Sequence, residues 1–418
     1  RAFGIDLHWL PHAHGSLEVA RLVRKHHPGV PILFGGFSAT YYHEELIGYP
    51  QVDYVVRGDS TEEPLRQLIE CLDQGCEPVN VPNLTWKDAA GRVHVNPTSY
   101  RPSDLDHIRS GFRQMVRSVI RDRDLLSYAP FARWLDYPVM VALTVRGCTQ
   151  NCTICGGCAE SHARMSGRSE PAFRSPEDLA QDVRDARRIS RAPICILGDL
   201  RLAGMDYARR FLRAVQGVRG PFMLEFFWPI GRAYAEELAA ALPDLIIEFS
   251  PDSHDPAVRK ALGKTYTNEG IEQTIRHCLD VGARRFDLFF MIGLQNQTAA
   301  SALGTVEFCD HLLQVTDRSD RPRRLIPFVA PLAPFLDPGS RAFENPEQYG
   351  YRLFCRTLEE HRQALLAPTW KHILSYETSW MDRDAIAATT YEAGWRLNRL
   401  KARYGIVSQE KAAETEAR

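Results

Sequence analysis

A chain of 418 residues, 44% of them apolar and 25% charged, has room for two or three domains, each burying a core of its own. A formal net charge of -1 argues against wholesale electrostatic binding of nucleic acid, and no uncharged apolar run reaches the length of a bilayer span. Ten cysteines, four of them packed between residues 146 and 158, do not make a disulfide-dense secreted scaffold, and no signal-like start is present.

The other cysteines, Cys71, Cys76, Cys195, Cys278, Cys309 and Cys355, are scattered. That distribution suits a reducing cytoplasm and one thiolate-held cofactor site. The chain opens at Arg1 on the strand-like "AFGI" without an initiator methionine, so a fragment of a longer natural protein is expected.

In chain order, residues 1–80 alternate strand and helix. "AFGIDL" reads as a strand, "GSLEVARLVRKHH" as a helix with Leu17, Ala20 and Val23 on one face, and "VPILFGG" and "VDYVVRGDS" as two further strands. "TEEPLRQLIECLDQG" reads as a helix closed by Gly75. Such alternation implies a parallel, doubly wound sheet with ligands at the carboxyl ends of its strands: Leu7–His8, Gly35–Gly36 and Gly58–Asp59. Residues 81–135 break the pattern with a hairpin turning at Ala90–Gly91 and a charged, helix-prone linker.

Alternation resumes in residues 136–344. Strand candidates are "VMVALTV", "APICILGD", "FMLEFFWPI", "DLIIEFS", "RFDLFFMIG" and "RLIPFVAPLAPF". One intervening helix has a clear start signal, with Ser175 as N-cap, Pro176 in the first turn and Asp178 behind it. Six strands of this kind imply a full or partial parallel β/α barrel, with chemistry at the strands' carboxyl ends. Residues 345–418 are helix-rich and close on a polar tail.

Cys148, Cys152 and Cys155 follow the first barrel strand in the spacing C-x3-C-x2-C, among Gly147, Gly156 and Gly157. Glycines let a backbone wrap closely around a bulky ligand, and thiolates are the usual ligands of iron–sulfur clusters. Zinc stays open by counting alone, because Cys158 supplies a fourth sulfur. A disulfide is the weakest option.

This loop resembles the signature of the radical S-adenosylmethionine superfamily, with Ile154 standing where an aromatic residue is usual. The resemblance implies that Cys148, Cys152 and Cys155 hold a [4Fe–4S] cluster with one iron left open. S-adenosylmethionine binds that iron and is cleaved reductively to a 5′-deoxyadenosyl radical. Cys158 lies outside the three-cysteine pattern and reads as a packing residue.

The strand ends match in order. Gly198 and Asp199 resemble the motif that receives the amino group of S-adenosylmethionine, where a carboxylate is a natural acceptor. In "SPDSHDPAVRKALGK", Ser250, Asp252 and Ser253 resemble the positions near its ribose and carboxylate; helix capping is their bland alternative. In "FMIGLQNQT", Ile292 and Gly293 resemble the adenine side, with Gln295 and Asn296 in place of a more usual Pro-Gly. Asp337 and Pro338 are candidates for shaping a substrate pocket, as are Tyr266 and Tyr391. Trp228 and Glu225, near the third strand's end, are candidates for facing the radical, with a buried core role as the alternative, and His254 is a candidate general base. No catalytic residue is assigned.

Residues 4–63 resemble the second half of a cobalamin-binding domain of the kind fused ahead of radical enzymes. The carried residues are Leu7, Gly35, Gly36, Gly58 and Asp59. "DLHWLP" superficially matches the family's D-x-H-x-x-G motif, with Pro11 for the glycine, and is set aside. "IDL" falls where a later S-x-L element belongs, with Ile5 for serine, which places the earlier motif before Arg1.

The expected architecture is therefore α/β. A partial Rossmann-like cobalamin-binding domain (1–80) is followed by a hairpin and helical linker (81–135), a partial (β/α)6 TIM-like barrel (136–344) and a C-terminal helical region (345–418). The expected protein is a cytoplasmic cobalamin-dependent enzyme served by a reductant such as flavodoxin or ferredoxin. It is expected to methylate an unactivated carbon of an unknown substrate, without nucleic acid or a membrane span. Radical cyclisation or rearrangement, and a non-catalytic electron carrier or cobalamin sensor, are the alternatives.

Overall fold

The computed structural model describes residues 2–129, 134–317, 323–331 and 334–416. Leu332 and Ala333 of the expected sixth-strand loop, and part of the expected linker, lie outside the described residues. The chain forms two compact units, each assembled from separate stretches. Arg1–Ser103, Arg146–Ala172 and Leu332–Ala387 make the first; Asp104–Val145, Phe173–Pro331 and Ala388–Arg418 make the second.

The first unit is built on a five-stranded sheet. Strands β1 (Phe3–Asp6), β2 (Ile32–Gly35) and β3 (Tyr54–Val56) run parallel, and β4 (Leu84–Lys87) and β5 (Val93–Val95) add an antiparallel hairpin. The period-2 alternation of a strand explains its two cores. Ile32 and Phe34 join Leu7, Leu17 and Val55 in one cluster, while Leu33 joins Val56, Leu68 and Trp86 in another. Each such fully buried side chain stabilises the fold by roughly 1.5–3 kcal/mol. The helix Glu62–Gln74 ends at Gly75 in the left-handed region, as its sequence predicts. Cys71 and Cys76, scattered thiols in the sequence, are disulfide-bonded beside that cap.

The second unit carries a six-stranded parallel sheet. Its strands are β6 (Met140–Leu143), β7 (Ile194–Leu197), β8 (Phe222–Phe226), β9 (Leu245–Asp252), β10 (Arg285–Ile292) and β11 (Leu325–Pro331), and they neighbour one another in sequence order. Unclosed, with β6 and β11 at its two ends, it is the partial barrel that strand–helix alternation implies. Phe222, Leu224 and Phe226 alternate with Met223 and Glu225, so one face is fully buried and the other half-buried. Ser175 caps the helix Pro176–Ile189 by accepting from Asp178 N–H at 3.3 Å. Arg383–Arg403 and Gln409–Glu416 supply the helical C-terminal part. Among the described residues, no helix is long and apolar enough to cross a membrane.

Candidate functional site

The cysteine loop belongs to the first unit, and the segment Asp337–Ala342 grips it. Asp337 accepts the Gly156 N–H at 3.1 Å, Ala342 N–H donates to Thr153 C=O at 2.9 Å, and Ser161 and Arg164 both donate to Gly339 C=O. A Cβ on Gly156 would lie 2.8 Å from Asp337 Cβ and 2.9 Å from Pro338 C=O, so the chain's own packing demands glycine there. Ile154 and Cys158 are buried, and Cys158 opens the helix Ala159–Ser166. Burial pushes the Cys155 thiol well above its ordinary pKa, and Asp337, Cys152 and Cys148 push it further.

Three crowded thiols, of which Cys155 resists ionisation, need a cation to take their protons' place. An iron cluster fits that donor set. Among the described residues no group of three or more His, Cys, Asp or Glu side chains is arranged around one metal ion. A cluster does not require it, since each thiolate binds a different iron.

In the same unit, the ends of β1, β2 and β3 bring Leu7, Gly35, Gly36 and Gly58 together. Leu7 N–H donates to Gly35 C=O at 2.8 Å, and Gly58 N–H donates to Thr40 Oγ1 at 3.0 Å, one turn after Gly36. Gly36, at φ 112°, passes so close to Leu7 and His8 that a Cβ would meet their backbone at 2.6–2.8 Å. Gly35 has no such neighbour: a Cβ there would meet only Val56 C=O, at 3.8 Å. Gly36 thus serves the chain's own packing, whereas the chain's packing does not require a glycine at 35. Asp59 is engaged by Arg168, which donates from Nε and Nη2, and lies 3.4 Å from His162 Nδ1. Burial alone would raise its pKa, yet its contacts with His162 and the Arg168 guanidinium hold the carboxyl well below the usual range.

In the second unit the strand ends carry acids that are already paired. Gly198, at φ 85°, donates its N–H to Glu225 Oε2 at 3.0 Å. Asp199 takes the guanidinium of Arg201 in a bidentate pair, and Arg201 also donates to Trp228 and Pro229 C=O. A bulge follows Phe249, and Asp252 sits beyond it at φ 66° with its carboxylate 2.6 Å from Lys264 Nζ. Lys264 also donates to Ser250 C=O, and Ser253 is fully buried, accepting Asp255 N–H at 3.1 Å. Ile292 is buried; Gly293, at φ 97°, gives its N–H to Gln297 Oε1 at 2.9 Å.

Three carboxylates also stand in register across the half-buried face: Glu225 opposite Glu248, and Glu248 opposite Asp287. Burial, then Glu225 and Asp287, push the Glu248 carboxyl up to about 7.

Residues 143–309 match the model of the Radical SAM superfamily. They are a radical SAM domain. No curated protein sequence matches the chain. Among solved structures it resembles the radical S-adenosylmethionine methyltransferase TsrM from Kitasatospora setae, solved with cobalamin and a [4Fe-4S] cluster bound. That match has 17% identity and a TM-score of 0.62, over 85% of this chain and 72% of the other. It also resembles OxsB, a cobalamin-dependent S-adenosylmethionine radical enzyme solved with aqua-cobalamin and S-adenosylmethionine. Here identity is 14% and the TM-score 0.60, over 100% of this chain and 62% of the other. At these identities the likeness establishes a shared fold.

Within the radical SAM domain, sequence reasoning passed over Arg168, Arg201 and Lys264, the cations that hold the predicted acids. Arg201 stands two residues from Asp199 and Lys264 twelve from Asp252, so proximity was a usable signal for both. Of the weaker candidates, His254 Nδ1 lies 2.9 Å from Thr305 Oγ1, and Tyr266 packs against Trp228 and Phe249. Tyr391 is exposed.

Proposed function

We propose that this chain is a cobalamin-dependent radical S-adenosylmethionine enzyme, and that it transfers a methyl group to an unactivated carbon. The observation that carries the reading is the C-x3-C-x2-C loop directly after the first strand of a six-stranded parallel sheet, inside a segment matching the superfamily. A [4Fe–4S] cluster held there would supply the electron for reductive cleavage of the sulfonium, and cobalamin would supply a methyl carrier. Cys148, Cys152 and Cys155 would hold the cluster, while Leu7, Gly35, Gly36 and Gly58 would approach the corrinoid. Likeness in fold to a radical methyltransferase solved with cobalamin supports the methyl-transfer part.

S-adenosylmethionine would lie along Gly198, Ser250, Asp252, Ser253, Ile292 and Gly293. Asp199 is occupied by Arg201, whereas Glu225, at the same strand end, is hydrogen-bonded among the described residues by the Gly198 N–H. We therefore assign the ammonium of S-adenosylmethionine to Glu225 and the shaping of that turn to Asp199. Glu225→Gln should weaken S-adenosylmethionine binding by about 10-fold or more, the worth of a charge-assisted hydrogen bond. Asp199→Asn should do less at that contact. Equal losses in calorimetric titration would return the role to Asp199.

A low-potential carrier such as flavodoxin or ferredoxin would supply the electron. Incubating the reduced, reconstituted protein with S-adenosylmethionine tests the whole reading. Release of 5′-deoxyadenosine is the expected result. A cluster that reduces normally but never cleaves the co-substrate would make the chain an electron carrier.

A further inference from the structure

Both ends of the cysteine loop are fastened to the turn that follows β3 and to the first residue of the helix it leads into. On the entry side, Arg146 donates to both carboxylate oxygens of Glu62, at 2.9 and 2.5 Å, and to Ser60 Oγ at 3.3 Å. On the exit side, Arg168 forks onto Asp59, donates to Ser60 Oγ at 3.3 Å and reaches Pro102 C=O at 2.9 Å. The Asp59–Arg168 pair is buried, with 11% and 4% of the side chains exposed. Arg168 also lies against Gly147: a Cβ on that glycine would come within 2.9 Å of Arg168 Cδ, one residue before Cys148.

We infer that Asp59 is a positioning residue for the cysteine loop, acting through Arg168, rather than a ligand of the corrinoid. Its carboxylate already accepts the guanidinium fork, whose planar geometry fixes both distance and direction, and also the Ser60 hydroxyl at 3.0 Å. A buried fork of this kind has two consequences. It holds the backbone on either side of the three cysteines at a set spacing, and it makes the β3 turn part of the cluster's support. Groups that orient ligands from behind typically change metal retention by about 10–100-fold when removed. The inference rests on reading Cys148, Cys152 and Cys155 as cluster ligands.

The test uses the full chain, reconstituted with iron and sulfide under anaerobic conditions. Asp59→Asn, Arg168→Gln and the double variant are compared for the rate of iron loss to a chelator and for the paramagnetic resonance spectrum of the reduced cluster. Each single variant should lose iron about tenfold faster than the parent and show shifted g-values. The double variant should be no worse than the poorer single one, because both changes break one interaction. Arg168→Lys should restore retention only in part, since an ammonium cannot fork.

Parental iron loss and spectra in the single variants, or effects that simply add, would overturn the inference. Should a single variant leave a charge unpaired and fail to fold, the neutral double variant decides. It must lose iron faster than the parent while its apoprotein melts at the parental temperature; retention at the parental rate, or a lowered melting temperature, would overturn the inference. A parent protein that binds no three-cysteine cluster would instead defeat the underlying reading, before any variant is made.

Discussion

The cysteine loop and the strand ends of the six-stranded sheet are both candidate cofactor sites, but they are built by opposite logic. In the loop, three like ligands fall within eight residues, and the surrounding chain supports their backbone from Asp337 and Arg168. At the strand ends, residues far apart in sequence converge, and the acids among them already hold cations: Asp199 with Arg201, and Asp252 with Lys264. Ligands adjacent in sequence announce themselves by spacing. Ligands assembled by a sheet announce only their chemical type, and much of that chemistry goes into building the walls.

Removing one loop ligand should give the largest effect. Cys152→Ala should abolish cluster assembly and 5′-deoxyadenosine formation together, measured by iron content and product release. Cys158→Ala should keep both, because its buried sulfur packs the start of a helix. Loss of the cluster in the Cys158 variant would break the comparison, since a fourth ligand would close the open iron.

The strand ends should fail differently. Lys264→Met leaves the buried Asp252 carboxylate without its cation, which costs about 3–5 kcal/mol in unfolding free energy. The double change with Asp252→Asn should recover most of that loss in denaturant unfolding. If Lys264→Met left stability intact yet weakened S-adenosylmethionine binding, Lys264 would belong to the ligand and not to the wall.

Glu248 sharpens the same point through pH. Its carboxyl stands near 7 in the fold against an ordinary value of 4.5, so the folded chain favours the protonated form. The stabilisation this gives is full below the ordinary value and is lost as pH rises to about 7. Glu248→Gln should therefore gain roughly 1–3 kcal/mol over the parent at pH 8 and almost nothing at pH 4. A flat difference across that range would mean that Arg285, which pairs with Asp287 at 2.6 Å, neutralises Glu248 as well.

Much of the fold is readable from local pattern. The six strands alternate, Ser175 and Pro176 start their helix, and Gly91 turns its hairpin at φ 79°. These features depend on residues within a turn of one another. The clamp on Asp59 does not: Arg168 lies 109 residues away, and nothing in either segment names the other. Glycine is equally ambiguous. Gly35, Gly36 and Gly156 look alike in sequence, yet Gly36 and Gly156 are demanded by backbone and side chains of this chain, and Gly35 is not.

The smallest effect concerns the turn after β10, where Gln295 and Asn296 replace the Pro-Gly usual in the superfamily. Asn296 takes the left-handed conformation at φ 62°, which asparagine tolerates better than other residues with a side chain. Gln297 then closes the turn: its Oε1 accepts the Gly293 and Leu294 N–H groups at 2.9 and 3.3 Å, and its Nε2 donates to Met291 C=O at 2.9 Å. The turn is thus held by a buried amide instead of a proline ring. Asn296→Ala should cost about 1 kcal/mol in urea unfolding through backbone strain alone. Asn296→Gly should be close to neutral, because relief of strain offsets the greater freedom of the unfolded chain. If alanine were as good as asparagine, the left-handed turn would not form in solution, and Gly293 would lose the support that sets it at the end of its strand.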